Sequence, residues 1–185
     1  MSKLERIEEE RMVLDCQLRR PEAFRALVSC MEGRLLYYVR RFVSDESDAL
    51  DVLQDVWVQV FRRIGDLRKP AAFRGWIYCI AHSVLVSRNR KLMSQARSEQ
   101  LYAETQREEA AEPDWTAADA VHIHRALARL GPIHREVLTL RFLEDMTHEE
   151  IALATGTGIG TVKSRLHYAK SALRGLLEGV YHEQN

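Results

Sequence analysis

Residues 160–177 carry four basic side chains and no acidic one, a charge pattern that favours contact with a polyanion. Hydroxyl, imidazole, amino and guanidinium groups hydrogen-bond phosphates and the edges of bases. The residues that offer such groups here are Thr161, Lys163, Ser164, Arg165, His167 and Lys170. Apolar residues spaced by three or four, from Ile159 to Leu173, predict a helix with one buried face. We therefore expect the other face to lie against DNA.

A second group of candidate ligands lies in residues 61–91, which contain eight basic residues and one acid, Asp66. Aromatic rings stand between these cations, and that mixture can stack unpaired bases and neutralise a single strand. The candidate strand-binding residues are Arg62, Arg68, Lys69, Phe73, Arg74, Trp76 and Arg88. Phe73 and Trp76 also have the spacing of core residues on one helix, so burial of either ring stays an alternative.

Catalytic and metal-binding patterns are missing from the sequence. Its three cysteines, Cys16, Cys30 and Cys79, are widely spaced, and no two histidines have the i, i+4 spacing of a zinc-binding helix. No phosphate-binding loop, dinucleotide fingerprint or nucleophile elbow occurs. We predict no catalytic residue, no metal and no cofactor, and therefore no enzyme. No apolar run could span a bilayer, so we expect a soluble, cytoplasmic protein without membrane insertion.

Helical spacing in the N-terminal half indicates which elements carry the candidate strand-binding residues. It predicts helices over about 23–42, 45–64 and 72–91. On the second helix, the residues expected to face inward are Leu50, Leu53, Trp57, Val60 or Phe61, and Ile64. The carboxylates of Asp48, Asp51 and Asp55 fall on another face of the same helix.

The C-terminal half begins after an acidic stretch. Residues 92–120 hold two basic residues and seven acids, although the whole chain is neutral with 27 of each sign. We predict an N-terminal helical domain (1–91), a flexible linker (92–118) and a C-terminal domain (119–185), and hence an all-α protein of two small domains. Helical spacing returns in 120–130 and again in 133–142.

The C-terminal domain carries the pattern of a helix-turn-helix. Thr147 and Glu150 have the spacing of a capping box, Gly156 can take a left-handed backbone at the turn, and a second helix begins near Gly158. The second helix of such a unit enters the major groove of DNA.

Three blocks of the sequence, in this order and at this spacing, resemble the bacterial sigma factors of the extracytoplasmic-function (ECF) class, in the sigma-70 family. The blocks are DALDVLQDVWVQVF (48–61), FRGWIYCIAHSVLVSRNRK (73–91) and residues 131–177, where GTVKSRL and AKSALR are the most specific parts. The resemblance covers about 20–91 and 118–178. It implies a protein that binds RNA polymerase core and directs initiation at promoters.

The resemblance also implies roles for individual segments. The helix that follows residue 45 would dock on the clamp of the largest polymerase subunit, and the flap of the second largest subunit would be a further contact. The implied core-binding residues are Asp48, Asp51, Gln54 and Asp55. Residues 65–73 and the next helix would capture the melted −10 element, which adds Ser83 to the candidates. The last helix would read the duplex −35 element, its base-facing residues being Lys163, Ser164 and His167, with Arg165 toward phosphate.

The chain departs from the family pattern in the −10-reading helix. His82 and Ser83 replace an Arg-Asn pair, and Ser87 replaces an Asp. We therefore expect an altered choice of −10 sequence. Two other functions stay open at this point: a conventional helix-turn-helix regulator, and a sigma-like decoy that binds a regulatory protein. The resemblance further implies an anti-sigma factor as a partner, besides polymerase and promoter DNA.

Overall fold

The computed structural model describes residues 3–43, 45–99 and 118–182, and side-chain packing within 4–43, 45–91 and 123–177. The described residues form α-helices and helical turns without a β-strand, as the helical spacing predicts. The chain divides into two compact units, one drawn mainly from residues 1–110 and the other mainly from 111–185.

Four helices build the described part of the N-terminal unit. They are α1 (Lys3–Gln17), α2 (Ala23–Val39), α3 (Glu46–Arg63) and α4 (Phe73–Glu99). Two short 3₁₀ turns, Ile64–Asp66 and Pro70–Ala72, join α3 to α4. Asp45 begins α3 by accepting a hydrogen bond from the backbone N–H of Ser47 at 3.1 Å.

The core of this unit consists of apolar side chains spaced by three and four on α2, α3 and α4. They are fully or almost fully buried: Leu27, Met31, Leu35, Val52, Val56, Val60, Ile77, Ala81 and Val84. Burying each larger one stabilises the fold by about 1.5–3 kcal/mol. Val60 is the residue that faces inward, whereas Phe61 is exposed, and the expectation that Leu50 is buried is wrong because half of its surface is exposed.

Helix α1 is an element that apolar spacing did not predict. Charged side chains interrupt its pattern, and Val13 is its only fully buried apolar residue among those described. A buried ion pair attaches the helix instead, since Arg74 of α4 donates to Glu9 at 2.5 Å. Long-range pairing of two charges leaves no signal in the periodicity of either helix.

Helix α4 extends eight residues beyond the predicted end at Lys91 and reaches Glu99. The first eight residues of the predicted linker, 92–99, are therefore helical. No glycine or proline occurs between Trp76 and Glu99, and the added stretch contains Leu, Met, Gln, Ala and Arg, which are good helix formers. Residues 100–117, the rest of the predicted linker, lie outside the described residues.

Within residues 118–182 of the C-terminal unit there are also four helices. They are α5 (Ala118–Arg129), α6 (Pro132–Leu138), α7 (His148–Thr155) and α8 (Ile159–His182). A π-helical turn, Thr139–Leu143, follows α6 directly. Because a π turn holds one residue more than an α turn, it rotates the later side chains, and Phe142 becomes exposed rather than buried.

The helix-turn-helix is formed by α7 and α8. Thr147 Oγ1 accepts from the backbone N–H of Glu150 at 3.1 Å, and Glu150 Oε2 accepts from that of Thr147 at 2.7 Å, which confirms the capping box. Gly156 has φ +63°, so it ends α7 in the left-handed conformation that glycine adopts without strain. The spacing predicts that Ile159, in the first turn of α8, is buried, but its side chain is 40% exposed.

Candidate functional site

The exposed face of α8 is the first candidate surface. Val162, Leu166 and Ala169 anchor the opposite face in the core. The predicted DNA ligands lie at the surface, Arg165 partly covered and the others exposed: Thr161, Lys163, Ser164, Arg165, His167 and Lys170. A helix held by such a stripe can enter a groove with these side chains leading.

Two further residues join this surface, and sequence analysis did not select them. Tyr168 is 63% exposed, and its ring contacts His167 edge to face at 5.5 Å. Ser171 is exposed and bonds to the carbonyl of His167. The i, i+4 spacing of His167 and Ser171 on a helix is the signal that could have identified the serine.

Lys170 has a second environment. With Arg174 it borders an apolar groove of the C-terminal unit, formed by α5, the π turn and α8. Ile123, Leu127 and Leu173 are among the residues that line it. Lys170 therefore stands where the basic face of α8 meets an apolar surface.

The N-terminal half of α4 corrects two predicted strand-binding residues. Phe73 is 1% exposed and Arg74 is 2% exposed, so neither side chain can reach a nucleic acid in this conformation. Phe73 packs in the core, and Arg74 is neutralised by Glu9. Apolar spacing had left burial of Phe73 as an alternative, but nothing local marks Arg74 as a buried cation.

One face of α4 stays accessible. Trp76 is half-buried at its start, and Ser83, Ser87 and Arg90 are exposed further along. At 100° per residue, these four side chains lie within about 60° of one another around the helix axis. Arg90 is one of the basic residues counted in 61–91, whereas Ser87 was noted only as a departure from the family pattern. The seven-residue steps from Trp76 to Ser83 to Arg90 indicate a shared face.

A basic turn precedes α4. Arg68 and Lys69 are exposed there, and Arg62 is exposed at the end of α3. Helix α1 holds this turn in place, because the side-chain amide of Gln17 donates to two carbonyls, that of Ile64 at 2.9 Å and that of Leu67 at 2.7 Å. The helix that sequence analysis missed therefore supports both the turn and, through Glu9, the start of α4.

Arg88, a predicted strand-binding residue, makes an ion pair within the N-terminal unit. It is an inward-facing residue whose Nη2 donates to Oδ1 of Asp48 on α3. The two side chains are about one third exposed. A predicted strand ligand and a predicted core-polymerase ligand thus neutralise each other, so neither offers a free charge.

The outer face of α3 is the third candidate surface. Asp51, Gln54 and Asp55 are exposed there, as predicted from their spacing. Exposed apolar side chains accompany them: Leu50, Val58 and Phe61. Around the helix axis, this set spans about 140°. The steps of four from Leu50 through Gln54 to Val58 could have identified the apolar part, which can bury area against a partner.

Other groups in the described residues offer little chemistry. No cluster of three or more potential metal ligands occurs among them, and none of their helices is both long and apolar enough to cross a bilayer. Burial raises the pKa of the Cys16 thiol and of the Cys30 thiol, and neighbouring carboxylates add to this effect. A raised thiol pKa disfavours the nucleophilic thiolate.

Comparison with known proteins gives a consistent result. Residues 27–95 match the family model described as sigma-70 region 2, and residues 121–173 match the one described as sigma-70, region 4. The ECF RNA polymerase sigma factor SigL of Mycobacterium tuberculosis is 33% identical over 162 residues, which cover 83% of this chain and 88% of that protein. The RNA polymerase sigma-E factor of Streptomyces avermitilis is 35% identical over 167 residues, covering 84% and 85%.

A solved structure has the same fold. The sigma factor RpoE of Bartonella quintana, in complex with the anti-sigma factor NepR, aligns with a TM-score of 0.74 at 22% identity. The alignment covers 85% of this chain and 98% of that chain. The region 2 match contains α3 and most of α4, and the region 4 match contains α6, α7 and most of α8. The three candidate surfaces therefore lie within the two matched regions.

Proposed function

Because the chain belongs to the sigma-70 family, in its ECF class, we propose that its three exposed surfaces divide polymerase binding and promoter recognition among them. The protein is a sigma factor that binds RNA polymerase and directs promoter-specific initiation. A conventional helix-turn-helix regulator would account for the C-terminal unit alone, whereas the region 2 match spans residues 27–95.

The assignment of −35 recognition to α8 rests on one observation: its exposed face has cations, hydroxyls and an imidazole, and it belongs to the second helix of a capped helix-turn-helix. Lys163, Ser164 and His167 face the bases in this proposal, and Arg165 faces a phosphate. Thr161 and Lys170 border that face on either side. Acidic side chains, which would repel the phosphates, are absent from residues 160–177.

The assignment of −10 recognition needs a different residue set from the one suggested by sequence. We propose that Trp76, Ser83, Ser87 and Arg90 line the path of the melted strand. Arg62, Arg68 and Lys69 supply the positive charge at its entrance. On one helix face, an indole ring can stack on a base, and hydroxyl and guanidinium groups can hold the neighbouring nucleotides.

The assignment of core binding goes to the outer face of α3. Asp51, Gln54 and Asp55 offer acceptors, and Leu50, Val58 and Phe61 offer apolar area. This composition suits a partner helix with basic and apolar residues, and in the proposal that partner is the clamp of the largest subunit. We propose the flap of the second largest subunit as a further contact. Because its partner is RNA polymerase, we propose that the protein acts in the cytoplasm.

A selection experiment tests the −35 assignment. Holoenzyme is assembled on promoters with a randomised −35 segment, and the retained DNA is sequenced. Wild type should enrich one sequence, and Lys163→Ala/Ser164→Ala should enrich it about tenfold to a hundredfold less, since a good base contact is worth about 1–3 kcal/mol. Arg129→Ala removes an exposed cation of the same unit outside α8 and should enrich the wild-type sequence. Equal enrichment by all three proteins would refute the assignment.

A binding experiment tests the core-polymerase assignment. Asp51→Lys/Asp55→Lys should weaken core binding and leave the unfolding transition of the N-terminal unit unchanged, because both side chains are exposed. Lys163→Ala/Ser164→Ala should bind core like wild type. Unchanged core affinity of the α3 variant at low salt would contradict the assignment.

We also propose that a protein inhibitor controls this sigma factor. Support comes from the likeness to RpoE of Bartonella quintana, which was solved with the anti-sigma factor NepR. Such a partner should compete with core polymerase for the free protein. A cellular inhibitor that leaves core binding intact would count against this proposal.

A further inference from the structure

We infer that Arg88 is a positioning residue, which fixes the promoter-facing helix α4 to the polymerase-facing helix α3 through its ion pair with Asp48. The inference builds on the proposed function of these two helices. It assigns both charges to the junction between the helices rather than to DNA or to polymerase.

The direction of the Arg88 side chain is the first argument. Ile77, Ala81 and Val84 define the buried face of α4. At 100° per residue, Arg88 lies in the middle of that face and about 120° away from Trp76 on the exposed one. Its Nε is buried without a hydrogen-bond partner, and its Nη2 donates to Asp48 Oδ1. The Nη2 group of Arg88 can bind a strand only if it gives up its hydrogen bond to Asp48.

The place of the pair along the two helices is the second argument. Val84 and Leu85 are the last buried apolar residues of α4 among the side chains described, and Arg88 follows them by one turn. Asp48 lies in the first turn of α3, where the helix dipole favours a carboxylate. The pair therefore closes the contact between the helices at the point where apolar packing ends.

The position of the surfaces gives the pair its function. Ser87 and Arg90 flank Arg88 on α4, and Asp51 follows Asp48 by one turn on α3. If the pair opens, the C-terminal part of α4 can turn relative to α3, and the −10-reading face moves while the polymerase-binding face does not. The expected loss is thus in promoter opening at saturating core polymerase.

Three variants separate this role from the alternatives. Arg88→Met and Asp48→Leu each leave one charge without its partner, and the double variant replaces the ion pair with an apolar contact of similar volume, which proteins often tolerate. Glu46→Gln is the matched control, because it removes another ion pair from the first turn of α3, the one between Glu46 and Arg40. Core affinity, thermal unfolding and permanganate reactivity of the −10 thymines are measured for each protein.

The positioning role predicts rescue by the double variant. Each single variant should open the promoter about fivefold less at saturating core, the ratio that corresponds to roughly 1 kcal/mol. The double variant should return to within about twofold of wild type, with core affinity unchanged throughout. If Arg88 contacts DNA, Arg88→Met and the double variant will be equally defective. If Asp48 contacts polymerase, both variants that lack it will bind core weakly, and either result overturns the inference.

Two further observations keep the test decisive. If a single variant does not fold, the folded double variant decides: normal opening supports the inference and defective opening overturns it. A wild-type holoenzyme that opens no promoter would refute the proposed function instead. In that case, amide hydrogen exchange of residues 84–91 tests the ion pair. Exchange should be faster in the single variants than in the double variant. Equal exchange rates would overturn the inference.

Discussion

Breaking the buried pair between Glu9 and Arg74 should destabilise the N-terminal unit strongly. The side chains are 9% and 2% exposed, and Nη2 of Arg74 lies 2.5 Å from a carboxylate oxygen of Glu9. Removal of the Glu9 carboxylate takes away the counter-charge that this residue supplies to Arg74 in a medium of low polarity. Glu9→Gln should therefore lower the free energy of unfolding by about 3–5 kcal/mol.

The measurement is urea unfolding followed by tryptophan fluorescence, because Trp57 and Trp76 both report on the N-terminal unit. Arg25→Gln is the matched control: it breaks an exposed ion pair with Glu22, and it should cost about 0–1 kcal/mol. Glu9→Leu/Arg74→Met, which removes both charges, should recover most of the loss. A cost for Glu9→Gln no larger than that of the control would refute the view that this pair anchors α1.

Three other changes have defined outcomes. Gln17→Leu removes the amide that donates to the carbonyls of Ile64 and Leu67. Permanganate reactivity of the −10 thymines should therefore fall at saturating core polymerase. Unchanged reactivity would show that α1 does not support the turn. Gly156→Ala puts a side chain at φ +63° with open space around it, so the loss of stability comes only from the backbone conformation. We expect the C-terminal unit to lose about 1–2 kcal/mol in thermal unfolding. A smaller loss would mean that the turn relaxes. Hydrogen bonds from the Ser47 backbone amide and then its hydroxyl lower the pKa of Asp45, so this carboxylate stabilises the fold at neutral pH and stops doing so as the pH falls through that pKa. Asp45→Asn keeps the cap without titration, so the stability of the N-terminal unit should fall less steeply as the pH drops below about 5. Parallel curves for the two proteins would contradict this.

Much of the fold follows from spacing and from local turn chemistry. Apart from Leu50 and Ile159, the apolar steps on α3 and α8 predict the buried faces. Thr147, Glu150 and Gly156 predict the helix-turn-helix from local geometry alone. These features depend on residues at most four positions apart. Such patterns are readable because the helix repeat is fixed.

The errors occur where residues distant in sequence decide the outcome. Arg74 and Arg88 looked like surface cations because their partners, Glu9 and Asp48, lie 65 and 40 positions away. Phe142 is exposed after a π turn, and a π turn cannot be anticipated from an α repeat. Charge counting locates the basic region correctly, but only packing shows which of its members are available to a strand.

Mapping the 5′ ends of transcripts tests most directly whether the protein directs promoter-specific initiation. Purified protein is added to bacterial core RNA polymerase on genomic DNA, and transcript ends are compared with those from core alone. We expect new starts preceded by one shared pair of sequence elements. With Lys163→Ala/Ser164→Ala, the preference for one sequence in the upstream element should be lost. An absence of new starts, together with no binding to core, would contradict it.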